Sequence, residues 1–307
     1  MQVVWNTFNH NEIGRRSLED IIFILKHQMN ALGHDAKWIP DNKLFAGAGA
    51  GINVVIEGFS PWSVAELASA KANGARFLIL ATEEPTDKGF NHGTQAEMVK
   101  RQEIFPEAAK HCEGILHLVP GERVTRWYSQ FGVPAAYADL GYARTLVRPD
   151  VIAPEFDFGF YGSLTKRRLK ILKKLAAMIG TQKAVKLVVD FKTQDERDRE
   201  MQRAKVILQV RKFDEMGLVS SSRCATALSI GRPVVAEPHD LCKPWDEVVT
   251  FAKTMDGFYS AALTARAAWR GIHAAQFAKF KEKMSPEICI GRALRHVGLE
   301  APGRMAA

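Results

Sequence analysis

Ser220, Ser221, Ser222 and Arg223 are four consecutive residues whose types and placing can do chemistry. They follow a short apolar run, Val206-Ile207-Leu208, that reads as a buried strand. Arg223 to Ile230 then reads as a helix, Gly231 as its stop, and Val234-Val235-Ala236 as the next strand. Serine is a good N-cap. Free N–H groups, three hydroxyls and one guanidinium therefore converge at a helix start, which suits a phosphate. A second candidate lies upstream, where Lys166 and Arg167 open a basic helix beside Gly162 and Ser163. The first half offers acids and a histidine at strand ends: His10 and Glu12 after the first strand, Glu57 after the third, Glu83 and Glu84 after the fourth. Ligands of parallel sheets sit beyond the carboxyl ends of the strands. A carboxylate or imidazole there can take a proton from a hydroxyl.

These residues are positioned by alternating strands and helices. In the first half, strands are expected at Val3–Trp5, Ala36–Ile39, Ile52–Glu57, Ala75–Ala81, Gly114–Val119 and Ala135–Leu140. Helices are expected at Arg15–Leu32, Ser63–Asn73, Glu97–His111, with a break near Pro106, and Val124–Phe131. A proline-containing stretch follows, and then a second set: strand Asp157–Tyr161, helix Lys166–Ile179, strand Val185–Val189 and helix Gln194–Arg203. From Trp245 the chain reads as helical, with a long helix at Trp269–Lys283 and another from Ser285 through Val297. Such a βα succession implies mainly parallel sheets covered by helices. The domains expected are 1–148, a linker 149–156, a second domain 157–275 and a helical tail 276–307.

Composition narrows the class. The chain has 307 residues, enough for two domains, and 47% hydrophobic content can fill their cores. No apolar run approaches the ~20 residues of a spanning helix, and MQVVWNTFNHNE does not read as a signal peptide. A cytoplasmic protein is expected. The four cysteines, Cys112, Cys224, Cys242 and Cys289, lack CxxC spacing, so buried free thiols are expected rather than a zinc site or disulfides. The formal charge of +8 favours anionic partners. Nucleic acid is not expected, since no aromatic-basic interleaving or Cys/His finger occurs. GAGAG at 47–51 precedes a strand, whereas a dinucleotide fingerprint follows one, so it reads as a loop. Walker A, GxSxG and HExxH patterns are absent from the sequence.

The segment from Lys205 to Asp240, together with FGFYGSLTKRRLKILKKL at 158–175, resembles the nucleotide-sugar-binding half of GT-B glycosyltransferases. The resemblance implies two Rossmann-like domains facing a cleft, with a C-terminal helix crossing back to the N-terminal domain. It implies a donor diphosphate at Gly162, Ser163, Lys166, Arg167 and Ser220–Arg223, and a ribose held by Glu237. Catalysis is expected from His10, Glu12, Glu57, Glu83 or Glu84, without cofactor or metal, on a glycan, lipid or protein acceptor. Peripheral contact with the inner face of a membrane through the basic surface also fits. One departure stands out: the acid-x7-acid pattern of many retaining members would place Glu where this chain has Thr226. The resemblance equally admits a nucleotide-sugar epimerase, or a binding protein that has lost catalysis.

Overall fold

A computed structural model describes residues 1–39, 51–93, 95–148, 152–180, 184–189, 191, 193–214 and 217–299. Most of the GAGAG tract, and residues 149–151 of the expected linker, lie outside them. The chain divides into two compact units. The first comprises Met1–Leu140 and the chain from Pro286 onward; the second is Gly141–Ser285.

The first unit runs β1 (Gln2–Asn6), α1 (Glu12–Ala31), β2 (Asp35–Ile39), β3 (Ile52–Ile56), α2 (Pro61–Ala72), β4 (Phe77–Ala81), α3 (Ala96–Ala109), β5 (Gly114–His117), α4 (Glu122–Ser129) and β6 (Ala135–Tyr137). Its six strands are parallel in the order β2-β1-β3-β4-β5-β6. Every residue of β3 and β4 is buried, as expected of central parallel strands; β4 is an unbroken apolar run and β3 is interrupted only by Asn53. The order steps outward in both directions from β1 and β3, which is a switch point. Helix α3 runs through Pro106 to Ala109, so the expected break does not occur. An aromatic cluster of Phe90, Phe105, Trp127, Tyr128 and Phe131 joins α3 and α4 to the loop after β4 and anchors that loop.

The second unit contains β7 (Phe156–Tyr161), α5 (Lys166–Ile179), β8 (Val185–Val188), α6 (Gln194–Gln202), β9 (Ala204–Gln209), α7 (Ser221–Ser229), β10 (Val234–Ala236), β11 (Thr250–Phe251), α8 (Met255–Ala267) and α9 (Trp269–Lys283). Its sheet is also parallel, in the order β11-β10-β9-β7-β8. Phe158, Phe160, Leu208, Val235, Phe258 and Tyr259 belong to its core. The all-helical reading after Trp245 misses β11, which is only two residues long and too short to leave a periodic pattern. Helix α9 packs on this sheet: the Gln276 amide accepts from Val234 N (2.8 Å) and donates to Val234 O (2.9 Å).

Beyond Ser285 the chain belongs to the first unit. A π-helical turn, Glu287–Gly291, leads into α10 (Arg292–His296). Asp139 N donates to Cys289 O at 2.9 Å, tying that turn to the end of β6.

Candidate functional site

In the second unit the candidate residues gather at the carboxyl ends of β7, β9 and β10. Gly162 follows β7 with φ +119, a conformation that side-chain-bearing residues rarely adopt. A Cβ there would lie 3.0 Å from Arg223 Nη2, so the turn needs glycine twice over. Ser220 caps α7 in extended conformation without a side-chain cap bond; its hydroxyl lies 3.3 Å from that of Ser222. The first backbone N–H groups of an α-helix have no partner within the helix, and here no serine hydroxyl closes them.

Arg223 does not extend toward solvent, as its place at the helix start suggested. It is 6% exposed and turns under the sheet edge. Its Nε donates to Tyr161 O (3.1 Å), its Nη1 donates to the Gln209 side chain, and its guanidinium lies over the rings of Phe160 and Tyr161. It therefore backs the Gly162 turn. The physical cause is helix register, which turns this position inward to β7 and β9.

Arg167 and Glu237 form a bidentate pair, Nη1–Oε1 2.8 Å and Nη2–Oε2 2.6 Å. Arg211 N donates to the same carboxylate, and Asp214 takes the Arg167 Nε. These bonds, Glu237's foremost, raise the Arg167 pKa above its ordinary range. Glu237 is 0% exposed. A ribose can reach it only by displacing Arg167. Arg232, close to Glu237 in sequence, donates to the carbonyls of Gln202 and Ile152 and stacks on Trp269. Lys166 and Ser163 stand exposed at the start of α5.

Sequence reading missed three neighbours. Arg168 is buried in the face of α5 that meets the sheet, and donates to Val210 O (3.0 Å) and Ser163 O (2.8 Å). Burial, and then the charge of Arg223, push it down to about 10. Arg211 follows β9 directly. His239 donates Nδ1–H to Glu237 O at 2.7 Å, so its Nε2 carries the lone pair; burial lowers it to about 4. A polar residue at the end of an apolar strand, as at Gln209 and Arg211, is the signal that could have found this group.

In the first unit, the loops after β1, β3 and β4 bring His10, Glu57 and Glu83 together. The Glu57 carboxyl is 1% exposed. Its Oε1 accepts from Thr82 N and Oγ1, while Oε2 is buried with no partner among the described residues. Burial, then the charge of Glu83, raise it from 4.5 to about 8. Glu83 accepts from Asn91 Nδ2 and lies 3.6 Å from Arg101. His10 Nε2 lies 3.4 Å from Ile56 O, and burial lowers its pKa. Its ring fits only because residue 58 is glycine: a Cβ there would stand 2.9 Å from His10 Cε1.

Two candidates stay outside this group. Glu12 begins α1, is 73% exposed and pairs with Arg16. Glu84 pairs with Arg123 at 2.6 Å and faces His92 at 3.7 Å. The candidate acids are thus largely accounted for: Glu57 is buried, and Glu12, Glu83 and Glu84 each have a basic partner. Among the described residues, no group of three or more His, Cys, Asp or Glu could hold a metal ion, and no helix is long and apolar enough to cross a membrane. All four cysteines are free, three of them buried and Cys242 half-buried.

The Glu57 carboxyl makes stability depend on pH. Its folded-state value lies above the unfolded one. Its contribution is therefore fully retained below about 4.5 and lost as pH rises toward about 8. At pH 7 that loss is of order 3 kcal/mol. Glu57→Gln should raise the unfolding midpoint at pH 8 and leave it unchanged at pH 4. Equal effects at both pH values would mean that Glu57 ionises normally.

No family model matches the chain, and no curated protein matches it. Solved structures do match in fold. Anabaena HepE, determined in complex with UDP, is 9% identical with a TM-score of 0.58, covering 97% of this chain and 100% of that one. The N-terminal domain of Candida albicans trehalose-6-phosphate phosphatase is 8% identical with a TM-score of 0.54, covering 96% and 97%. A mutant O-GlcNAc transferase of Thermobaculum terrenum is 9% identical with a TM-score of 0.50, covering 98% and 68%. The chain has the GT-B fold, with one Rossmann-like sheet in each unit.

Proposed function

From this GT-B fold we propose that the protein transfers a sugar from a nucleoside-diphosphate sugar to an acceptor hydroxyl. The observation that carries the reading is the carboxyl edge of β7, β9 and β10. There an uncapped α7 N-terminus and a glycine turn meet four arginines: Arg167, Arg168, Arg211 and Arg223. The UDP in the Anabaena structure supports a nucleoside diphosphate as the ligand, and its UDP-and-glucose complex supports a hexose. Helix N–H groups and the exposed Lys166 contact the diphosphate. The inward arginines supply positive potential beneath it and hold the turn in shape. Charge on the leaving diphosphate is thereby balanced by side chains and the helix dipole, without a metal ion. The first unit receives the acceptor and takes its proton. Surface glycan synthesis, at the inner face of a membrane, is the setting proposed by analogy.

A panel of nucleotides tested by thermal shift and calorimetry checks the donor site. Nucleoside diphosphates should bind more tightly than monophosphates. Arg223→Ala should weaken that binding at least tenfold, the worth of one charge-assisted bond or the shape it maintains. An unchanged dissociation constant in a folded variant removes this edge as the donor site. Product analysis with candidate donor sugars then separates transfer to an acceptor from epimerisation of the free nucleotide sugar.

A further inference from the structure

Glu57 and Glu83 lie close enough for the charge of one to act on the other, yet their surroundings differ. Glu83 has charge-stabilising partners: Asn91 Nδ2 donates to its carboxylate and Arg101 lies 3.6 Å away. Glu57 Oε1 accepts from Thr82 N and Oγ1, the Glu83 backbone N–H adds a weaker contact to the carboxyl, and Oε2 is buried without a hydrogen-bond partner among the described residues. The other titratable and charged groups around Glu57 are Tyr128 from α4, His10 from the loop after β1, and Arg101 from α3, which packs near Gly58. Tyr128 is spent on the Glu83 carbonyl at 2.8 Å. His10 is turned to Ile56 O. An ionised Glu83 nearby disfavours a second charge on the fully buried Glu57.

Asn91 arranges this. It and His92 adopt left-handed backbone, φ 51 and φ 62, a combination costing about 1 kcal/mol or more per residue. That conformation lets one side chain serve two groups. Asn91 Oδ1 accepts from Glu84 N at 3.0 Å while Nδ2 donates to Glu83. Asn91 N also donates to Glu84 O at 2.7 Å.

We propose that Glu57 and Glu83 are a carboxyl pair sharing one proton, that Asn91 is the positioning residue keeping it on Glu57, and that Glu57 Oε2 receives the proton of the acceptor hydroxyl. The last clause rests on the transferase reading; the first two do not. Glu57 first releases its proton to solvent. The acceptor oxygen then forms its bond to the anomeric carbon, and the bond from that carbon to the phosphate oxygen breaks. The electron pair leaves with the nucleoside diphosphate, and the hydroxyl proton passes to Glu57. The pair tunes how much carboxylate is available, since a base is most effective when its pKa lies near the working pH.

The test is a carbon-13 titration of the full chain with labelled glutamate carboxyls, Glu57 being assigned by its loss in Glu57→Gln. In the wild type Glu57 should titrate well above the ordinary carboxylate range. Asn91→Gly suits the left-handed backbone and removes the donor to Glu83. Glu57 should then titrate lower by about one pH unit, a tenfold gain in its ionised fraction at neutral pH. Asn91→Asp keeps an acceptor for Glu84 N but sets a carboxylate against Glu83, which favours a protonated Glu83 still more, and should lower Glu57 at least as far as Asn91→Gly does. A role confined to loop structure would leave Asn91→Asp, which keeps the bond from Glu84 N, close to the wild type, and that result overturns the assignment of Asn91. An ordinary titration of wild-type Glu57 overturns the pair. The pH profile of transfer should rise through the midpoint seen by resonance and follow it in Asn91→Gly. If the resonance shifts occur and the rate profile does not follow, the pair stands and Glu57 is not the base. If the shifts occur in a protein that transfers no sugar, the transferase reading falls alone.

Discussion

Arg167→Ala should destabilise the second unit by about 3–5 kcal/mol, the usual consequence of leaving one member of a buried ion pair without its partner. Glu237 is the member left behind. It is fully buried, and Arg167 supplies both of its guanidinium bonds. Arg211 forms only a longer ion pair with Glu237, its Nε 3.8 Å from Oε2, and offsets part of the loss, which places the expected cost toward the lower end of that range. The pair also joins the start of α5 to the end of β10 across the β9 loop, so its loss loosens the candidate donor edge. Urea unfolding monitored for the two units separately measures the effect. The double variant Arg167→Ala/Glu237→Gln should recover much of the loss, because no uncompensated charge remains. A single alanine variant as stable as the wild type would show that the carboxylate is solvated or protonated, and would free Glu237 for a ribose.

Among the five acids and imidazole groups of the first unit, turnover should depend on Glu57 most strongly. Removal of a general base lowers rate by ~10²–10⁴-fold. Of the five, Glu57 has a buried carboxyl oxygen without a hydrogen-bond partner among the described residues. Glu83→Gln should alter the pH profile more than the maximum rate, since it acts through its charge on Glu57. His10→Asn should have a smaller effect, because the ring is already bonded to Ile56 O. Glu12→Gln and Glu84→Gln should turn over almost normally: one is exposed on α1 and the other is engaged by Arg123. All five variants should bind nucleotide as the wild type does. The decisive measurement is transfer rate set beside nucleotide affinity for each. Near-normal turnover throughout would mean that the first unit supplies no side-chain base.

Much of this was written in local sequence. Helices α5 and α9 begin and end at the residues that their apolar spacing marks, and β4 stands out as an unbroken apolar run. Periodicity carries such information because a helix face or a central strand must bury its own apolar residues whatever surrounds them. The strand-end positions of the candidate residues were legible for the same reason: a strand that is known to be parallel fixes which end its loop occupies. Strand β11 was not legible, since two residues have no period.

Side-chain partners were a different matter. Sequence spacing offered Glu237 to a ribose and Arg223 to a phosphate, yet Arg167 arrives from 70 residues away and Arg223 turns beneath Gly162. It offered Glu57, Glu83 and Glu84 as equivalents, yet of these three Glu57 is the fully buried one and keeps an oxygen without a hydrogen-bond partner among the described residues. Ionisation and pairing depend on distance and desolvation, both set by strands that are adjacent in the sheet and remote in the chain. Sequence by itself determined the alternation of elements, the parallel sheets and the residues at their carboxyl ends. Only the tertiary structure decided which of those residues are paired, which are buried and which oxygen is left without a partner among the described residues, because those properties belong to neighbours that folding alone brings together.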